Sequence, residues 1–545
     1  MATIAYFSAE IGLESRLPTY SGGLGVLAGD HVKAAADAGL DFIAVTLLYR
    51  QGYGRQHLDE DGIQSETYPE FEPEEFLVDT GIDMALDLDG RKLHSRIWKK
   101  TMTGVTGKSV EVLFLDTQHP DNSPEHATLA QRLYGGDDST RIRQEYLLGV
   151  GGIRALKALG VWPLQGIHLN EGHCAFAALE MLDQGWTREE LKDRSLFTTH
   201  TPVPAGHDRF SWQDMEAVLG KLLPDDAQQL AGLDRASMSH LAINLCGSAN
   251  AVSNLNAHVA SGMFPEHHIQ PITNGAHHIT WTSGPMAELY DEQIAGWRKD
   301  PLLLSHAGSI PTSELVVARG KSRAILRDIV QSMSGVELHE DRLTIGFARR
   351  FATYKRADLV FHDLERLRQI GTGRMQFLFA GKAHPKDEGG KTLIRNIHAA
   401  AKKLGDDIPV VFLEDYSMAT GLAMTSGVDV WMNNPVRPME ASGTSGMKAV
   451  MNGVPNCSIL DGWWPEGCQH GVNGWAVGNS DDERDDERDN RDLLDSLENE
   501  VLPAWDSGDE IWGGFCRAAI STSARFTAAR MLDEYVRIYR SFSSS

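Results

Sequence analysis

The segment RLTIGFARRFATYKRADLVFHD, Arg342–Asp363, decides the fold. It opens with a short apolar run, Leu343–Phe347, and then releases four cations: Arg349, Arg350, Lys355 and Arg356. A strand buried on both faces by crossover helices reads as such an uninterrupted apolar run. The carboxyl end of such a strand is where open α/β sheets present ligands. Two arginine forks and a lysine point charge at that place suit a phosphate dianion. Similar runs recur at Leu40–Leu48, Val112–Leu115, Ser195–Thr199, Gln376–Ala380, Val410–Leu413 and Val428–Met432, with helical periodicity between them. That alternation predicts doubly wound α/β sheets.

Helical patterns at Met286–Lys299 and Thr312–Ser332 fall between two groups of strand-like runs and predict interdomain helices. The expected architecture is α/β, two Rossmann-like domains facing a central cleft. The first spans 1–283 and the second 284–500, with 501–545 forming helices that cross back to the first. Ala524–Phe542 carries Phe526, Met531, Leu532, Tyr535, Ile538, Tyr539 and Phe542 near helical spacing, so a terminal helix with one buried face is expected. The acidic run Asp481–Asp492, DDERDDERDNRD, reads as a solvated loop and helix start.

Composition narrows the function classes. The 545 residues hold 75 acidic and 51 basic side chains, and the formal net charge of -24 opposes nucleic-acid backbones and anionic membranes. The first residues lack a basic stretch followed by an apolar one, and no run of about 18 apolar residues follows, so a soluble, cytoplasmic protein is expected. Five cysteines without a CxxC pair point to reduced, structural thiols.

Two further segments can hold an anion. Thr19–Leu40, TYSGGLGVLAGDHVKAAADAGL, sets Gly22, Gly23 and Gly25 at the start of an alanine-rich helix. There bare backbone N–H groups and the helix dipole attract negative charge. Glu440–Gly453, EASGTSGMKAVMNG, interleaves Gly443 and Gly446 with Ser442, Thr444 and Ser445 before Lys448, a lysine one turn inside a helix and open to desolvation. HLNEGHCAFAALE carries Asn170, Glu171 and His173, TTHTPVPAGHDRF carries His200, and TNGAHHITW carries Asn274 and Trp281. These polar and aromatic groups suit sugar hydroxyls and ring faces. The adjacent His277 and His278 cannot share a helix face, and no metal site is expected.

Taken together the segments resemble the glycogen and α-glucan phosphorylases, in particular their short bacterial and archaeal branch. The likeness runs from Ile4 to about Gly478. FSAEIGLESRLPTYSGGLGVLAGDH, LLYRQGYGRQ, HLNEGHCAFAALE, FTTHTPVPAGHD, FARRFATYKRADL, FAGKAHPKDE and MEASGTSGMKA stand in family order and at family spacing. The resemblance implies the glycosyltransferase-B architecture and phosphorolysis of an α-1,4-glucan by inorganic phosphate, with retention, to α-glucose 1-phosphate. It implies pyridoxal 5′-phosphate as a Schiff base on Lys448, with Arg349, Thr444 and Ser445 on the cofactor phosphate and Tyr53 and Trp281 beside its ring. Arg350 and Lys355 match the substrate-phosphate site, completed by the Gly22–Gly23 turn. His200, Asn274, Glu440, Ser442 and Gly443 match positions that bond the glucosyl unit, and His173 is placed with them. His200 is expected to donate from its ring to a sugar hydroxyl, neither binding metal nor acting as a general base.

The likeness has departures. The chain begins almost at the first shared motif, so AMP control of the animal type is not expected. Ser417 stands where the animal enzymes carry an arginine near the cofactor, and His207, Asn254 and Asn256 also differ from the branch. The expected partners are the glucan and phosphate, with neither nucleic acid nor membrane, and a homo-oligomer is compatible. A nucleotide-sugar glucan synthase of the same architecture is opposed by Tyr20, where that family has a lysine. A non-catalytic glucan-binding protein is opposed by the full set of phosphate and cofactor residues.

Overall fold

The protein is described here by a computed structural model covering residues 3–203 and 206–542. It divides into two compact units. The first comprises the chain up to Gly54, Tyr68–Thr273 and the residues from Ala529; the second comprises Arg55–Thr67 and Asn274–Ala528. The units thus change over at Thr273/Asn274, earlier than the sequence boundary at 283/284. Of the 501–545 segment, the part up to Ala528 belongs to the second unit and only the part after it to the first.

The first unit is built on a nine-stranded sheet: β1 (Thr3–Ser8), β2 (Phe42–Leu47), β3 (Val78–Leu88), β4 (Arg91–Thr103), β5 (Ser109–Asp116), β6 (Leu164–Asn170), β7 (Ser195–Thr199), β8 (Ser248–Ala251) and β9 (Ile269–Pro271). Their spatial order is β9-β8-β7-β6-β1-β2-β5-β4-β3. The seven strands from β9 to β5 run parallel. β4 and β3 extend that sheet antiparallel, joined by Asp89 and Gly90, both at positive φ, as a two-residue hairpin turn requires. The helix α1 (Gly23–Ala38) follows β1 and ends on Gly39 in the left-handed region, whose N–H reaches the Ala35 and Ala36 carbonyls. Gly29 must be glycine, because a Cβ there would lie 1.8 Å from the Gly12 carbonyl oxygen.

The second unit holds a six-stranded, wholly parallel sheet. Its strands are β10 (Leu343–Ala348), β11 (Met375–Ala380), β12 (Val410–Leu413), β13 (Val430–Asn433), β14 (Asn456–Ile459) and β15 (Gly474–Val477), in the order β12-β11-β10-β13-β14-β15. This is the doubly wound order of a Rossmann fold. Helices α2 (Gly284–Gln293), α3 (Thr312–Ser334), α4 (Thr444–Met451) and α5 (Asp486–Ser496) belong to this unit, and α6 (Ala528–Ser541) starts at its end and continues into the first. Both units are of the domain type found in the glycosyltransferase-B architecture.

Two expectations change. The acidic run is not wholly solvated: Asp485 caps α5, and Asp486 and Asp489 bind the guanidinium of Arg356 at 2.9 and 2.7 Å. Arg356 therefore does not join the phosphate-facing cations; it is buried, at φ 45°, with its other N–H groups on the Asn434 and Pro435 carbonyls. All five cysteines are free thiols. Among the described residues no helix is long and apolar enough to cross a membrane.

Candidate active site

In each unit the polar residues gather where the strand order reverses, because neighbouring strands there send their chains in opposite directions and open a crevice at their carboxyl ends. In the first unit the reversal lies between β1 and β6. Beyond β1 stands Glu10, buried, and its carboxylate accepts from Ser21 N–H at 2.5 Å, Gly22 N–H at 3.4 Å and the Tyr134 hydroxyl at 2.8 Å. The Gly22–Gly23 turn is thus fixed by a carboxylate on its own amides. On its other side the turn is open, with nothing within 4 Å of a Cβ built on Gly22 or Gly23. Beyond β6, Asn170 donates to Ser8 Oγ at 3.1 Å, which turns its Oδ1 toward His200 Nε2 at 2.7 Å. The ring hydrogen of neutral His200 is therefore given to Asn170, leaving Nδ1 as an acceptor, the reverse of the donating role expected from sequence. Burial pulls the His200 imidazole down to about 4, with the neighbouring Glu171 opposing and His173 adding to the effect. His173 is engaged differently, its Nε2 lying 3.2 Å from Asp208, which also holds Arg141 at 2.6 Å. Tyr53 is buried in the first unit's core.

In the second unit the reversal lies between β10 and β13. Arg349 leaves β10 and binds Asn433, the last residue of β13, and also Glu440 at 2.5 Å. Lys355 Nζ lies 3.9 Å from the same carboxylate, and Arg350 is exposed. Burial and then the Arg349 and Arg350 charges pull the Lys355 amine down to about 7, Glu440 opposing them. Burial acts to raise the Glu440 carboxyl, but Arg349 and Lys355 outweigh it and hold it below its ordinary value. Beside it Asp461 accepts from the Glu440 and Gly462 N–H groups at 2.9 and 2.8 Å, and burial followed by the Glu440 charge pushes it up to about 7.

The loop continues into the N-terminus of α4. Gly443 takes the left-handed conformation, φ 81°, that turns the chain into the helix. Ser442 Oγ is buried without a hydrogen-bond partner. Ser445 Oγ accepts from the Trp431 indole at 3.2 Å and keeps its own hydrogen to give, with Thr444 beside it on the first turn. Lys448 is 6 % exposed, and its Nζ stands 3.8 Å from the centroid of the Trp281 ring. Asn274 and Trp281 are both buried; Trp281 is the last residue of the short helix His278–Trp281, which His277 caps while His278 bonds the Arg298 carbonyl. Ser417 caps the helix Met418–Gly427.

The second unit therefore gathers Arg349, Lys355, Glu440, Ser442 to Ser445, Lys448 and Trp281, and the first gathers Gly22, Gly23 and His200. Sequence reasoning missed Glu10, Asn433 and Asp461. Glu10 stands inside the quoted FSAEIG motif, but its partners are eleven residues on at Ser21 and far along the chain at Tyr134.

Residues 225–466 match the family model of the carbohydrate phosphorylases. The maltodextrin phosphorylase of Thermococcus litoralis is 39 % identical, over 98 % of this chain and 70 % of its own length. The glycogen phosphorylase of Mycobacterium tuberculosis is 36 % identical over 98 % of this chain and 70 % of that protein, and that of Aquifex aeolicus 35 % identical over 99 % and 86 %. These matches span both units, including the strand reversals that carry the polar residues. The chain belongs to the carbohydrate phosphorylase family and is an α-glucan phosphorylase.

Proposed function

We propose that the chain uses pyridoxal 5′-phosphate to phosphorolyse α-1,4-linked glucans of the glycogen and maltodextrin type, with retention of configuration, to α-D-glucose 1-phosphate. The observation that carries this reading is Lys448: a buried amine above an indole face, one turn inside a helix whose N-terminus is lined by hydroxyls. This donor set fits the cofactor. The lysine matches its aldehyde, the Trp281 face its ring, and Thr444, Ser445, the helix N-terminus and Arg349 its phosphate. When bound, the cofactor supplies a phosphate group that exchanges a proton, with no electron-sink role for the ring.

The chain's own groups do the rest. Lys355 and Arg350 hold inorganic phosphate, and a bound dianion favours the lysine's charged form over the nearly balanced state that burial and the arginines impose. Positive charge held at that phosphate stabilises negative charge as the glycosidic bond breaks. Glu440, locked by Arg349 and by Asp461 on its backbone, accepts from sugar hydroxyls, while Ser442, Gly443 and Asn274 orient the same ring. His200 accepts a sugar hydroxyl hydrogen at Nδ1, and its depressed basicity keeps it neutral through the physiological range. The free thiols suit a reducing, cytoplasmic setting.

The test is borohydride reduction of the holoprotein followed by peptide mapping. The cofactor should be fixed on the peptide containing Lys448, and wild type should release glucose 1-phosphate from maltodextrin. Covalent fixation that persists in Lys448→Ala overturns the assignment.

A further inference from the structure

The first unit carries a cluster of metal-ligating side chains that phosphorolysis does not use. His94 on β4, with His119 and Asp121 from the loop after β5, brings two imidazoles and a carboxylate together so that their ligand atoms all lie within 4.8 Å of one another. We propose that these three residues bind a divalent transition metal of the zinc class on the antiparallel margin of the first sheet.

Three features make this a prepared site. The loop is clamped to β4 at the residue concerned: Asn122 Oδ1 accepts from His94 N–H at 2.7 Å, and its Nδ2 donates to the His94 and Thr117 carbonyls at 2.8 and 2.7 Å. The two imidazoles are neighbours, their centroids 5.1 Å apart and their planes 18° apart. The tautomer of His119 is also set. Asp83 on β3 lies 3.2 Å from its Nε2, and the Asp121 N–H points at its Nδ1 at 3.2 Å. The hydrogen therefore sits on Nε2 and the lone pair on Nδ1, with Asp121 Oδ2 only 3.8 Å from that nitrogen. A carboxylate behind a ligating imidazole is the usual outer support of a zinc histidine.

The chemistry selects the ion. Two imidazoles with one carboxylate favour zinc, nickel, cobalt or copper over magnesium and calcium, which take oxygen. Bonds of about 2.0–2.2 Å at tetrahedral angles put ligand atoms about 3.5 Å apart, so closing on an ion needs a shift of about one ångström in the exposed Asp121 side chain, together with a turn of the backbone there that takes the Asp121 N–H off Nδ1. Water fills the remaining positions. A bound ion would tie the 117–122 loop to β4 through side chains as well as through Asn122.

The test uses the tag-free full-length chain, stripped with chelator and titrated with zinc alone by calorimetry, with cobalt absorption as the second readout. Expected are one site of micromolar or tighter affinity, nitrogen and oxygen ligation in the cobalt spectrum, and a higher melting temperature with zinc. His94→Ala, His119→Gln and Asp121→Asn should each weaken binding about tenfold or more, and Asp83→Asn about tenfold through loss of ring orientation. Asp121 is exposed, so Asp121→Asn keeps the fold, and its phosphorolysis rate should equal wild type. Absence of zinc binding at about 100 μM, a hundred times weaker than micromolar, overturns the proposal. So does binding of unchanged affinity in the His94→Ala, His119→Gln double variant.

Discussion

The two helix starts that the sequence marks with glycine and hydroxyl residues are local twins with opposite surroundings. At α1 the amides of Ser21 and Gly22 are held by a carboxylate, Glu10, and the turn owes its shape to that negative charge. At α4 the residues nearby include the cations Arg349 and Lys355, and the Glu440 carboxylate is balanced by both. A helix N-terminus attracts anions in either case. The contrast teaches that the first site is a matter of backbone shape and the second a matter of side-chain charge, so equal substitutions should have unequal consequences.

The sharpest way to break the contrast lies at α4 itself. Lys448→Ala should lower phosphorolysis by about a thousandfold or more, a barrier increase of about 4 kcal/mol, while circular dichroism remains that of wild type. Substantial residual turnover would show that the buried amine is structural.

Next comes Lys355. Lys355→Ala should lower kcat/KM for phosphate ten- to a hundredfold, as loss of a charge-assisted contact worth about 1.5–3 kcal/mol requires. In wild type, kcat/KM for phosphate should decline as pH rises through about 7, where the free amine loses its proton. The corresponding limb in kcat should lie at higher pH, since bound phosphate favours the ammonium. Stability runs the other way: the folded amine sits below its ordinary value near 10.5, so the unfolded chain binds more protons between about 7 and 10.5 and stability rises with pH across that window. Lys355→Met should therefore melt higher than wild type at pH 6 and lose that advantage toward pH 10. Identical melting of the two proteins at pH 6 would contradict the buried, crowded charge.

Smaller losses belong to the first unit. His200→Ala should lower kcat by about 1–3 kcal/mol of barrier, and His200→Asn by less, with the pH profile of wild type in both, since the ring stays neutral above about 4. Loss of one limb of the profile in His200→Asn would instead mark a proton-transfer role. Glu10→Gln keeps one acceptor for the Ser21 amide and removes the charge, so kcat should fall about threefold to tenfold, about 1 kcal/mol, without a rise in KM for phosphate. A rise matching that of Lys355→Ala would abolish the distinction between shape and charge.

Much of this was legible beforehand, for a physical reason. Strands β10 and β11 are buried on both faces and show as nearly continuous apolar runs, and Lys448, Ser445 and Thr444 stand within one motif. β3 and β4 escaped because a strand with one solvated face alternates, as Met84, Leu86 and Leu88 do between aspartates, although the Asp89–Gly90 turn was a hairpin signal. Arg356 was misread because adjacency to Lys355 says nothing of direction, and one residue at positive φ sends its side chain to α5. His94 and His119 were invisible as a pair, since only the pairing of β4 with β5 brings them together.

The helix α6 has a consequence for the order in which the protein is made. Tyr539 gives its hydroxyl to the buried His168 at 2.7 Å, Tyr535 receives the Asn250 amide at 2.9 Å, and Phe542 fills the space beside Gly166. These three residues close the middle of the first sheet, yet the ribosome adds them only after the whole of the second unit. The contacts of His168 and Asn250 with α6 can therefore form only after some 250 intervening residues have emerged. By then every residue of the second unit has been made, Arg55–Thr67 long before and Asn274–Ala528 as one contiguous stretch, while the first unit still lacks its last segment.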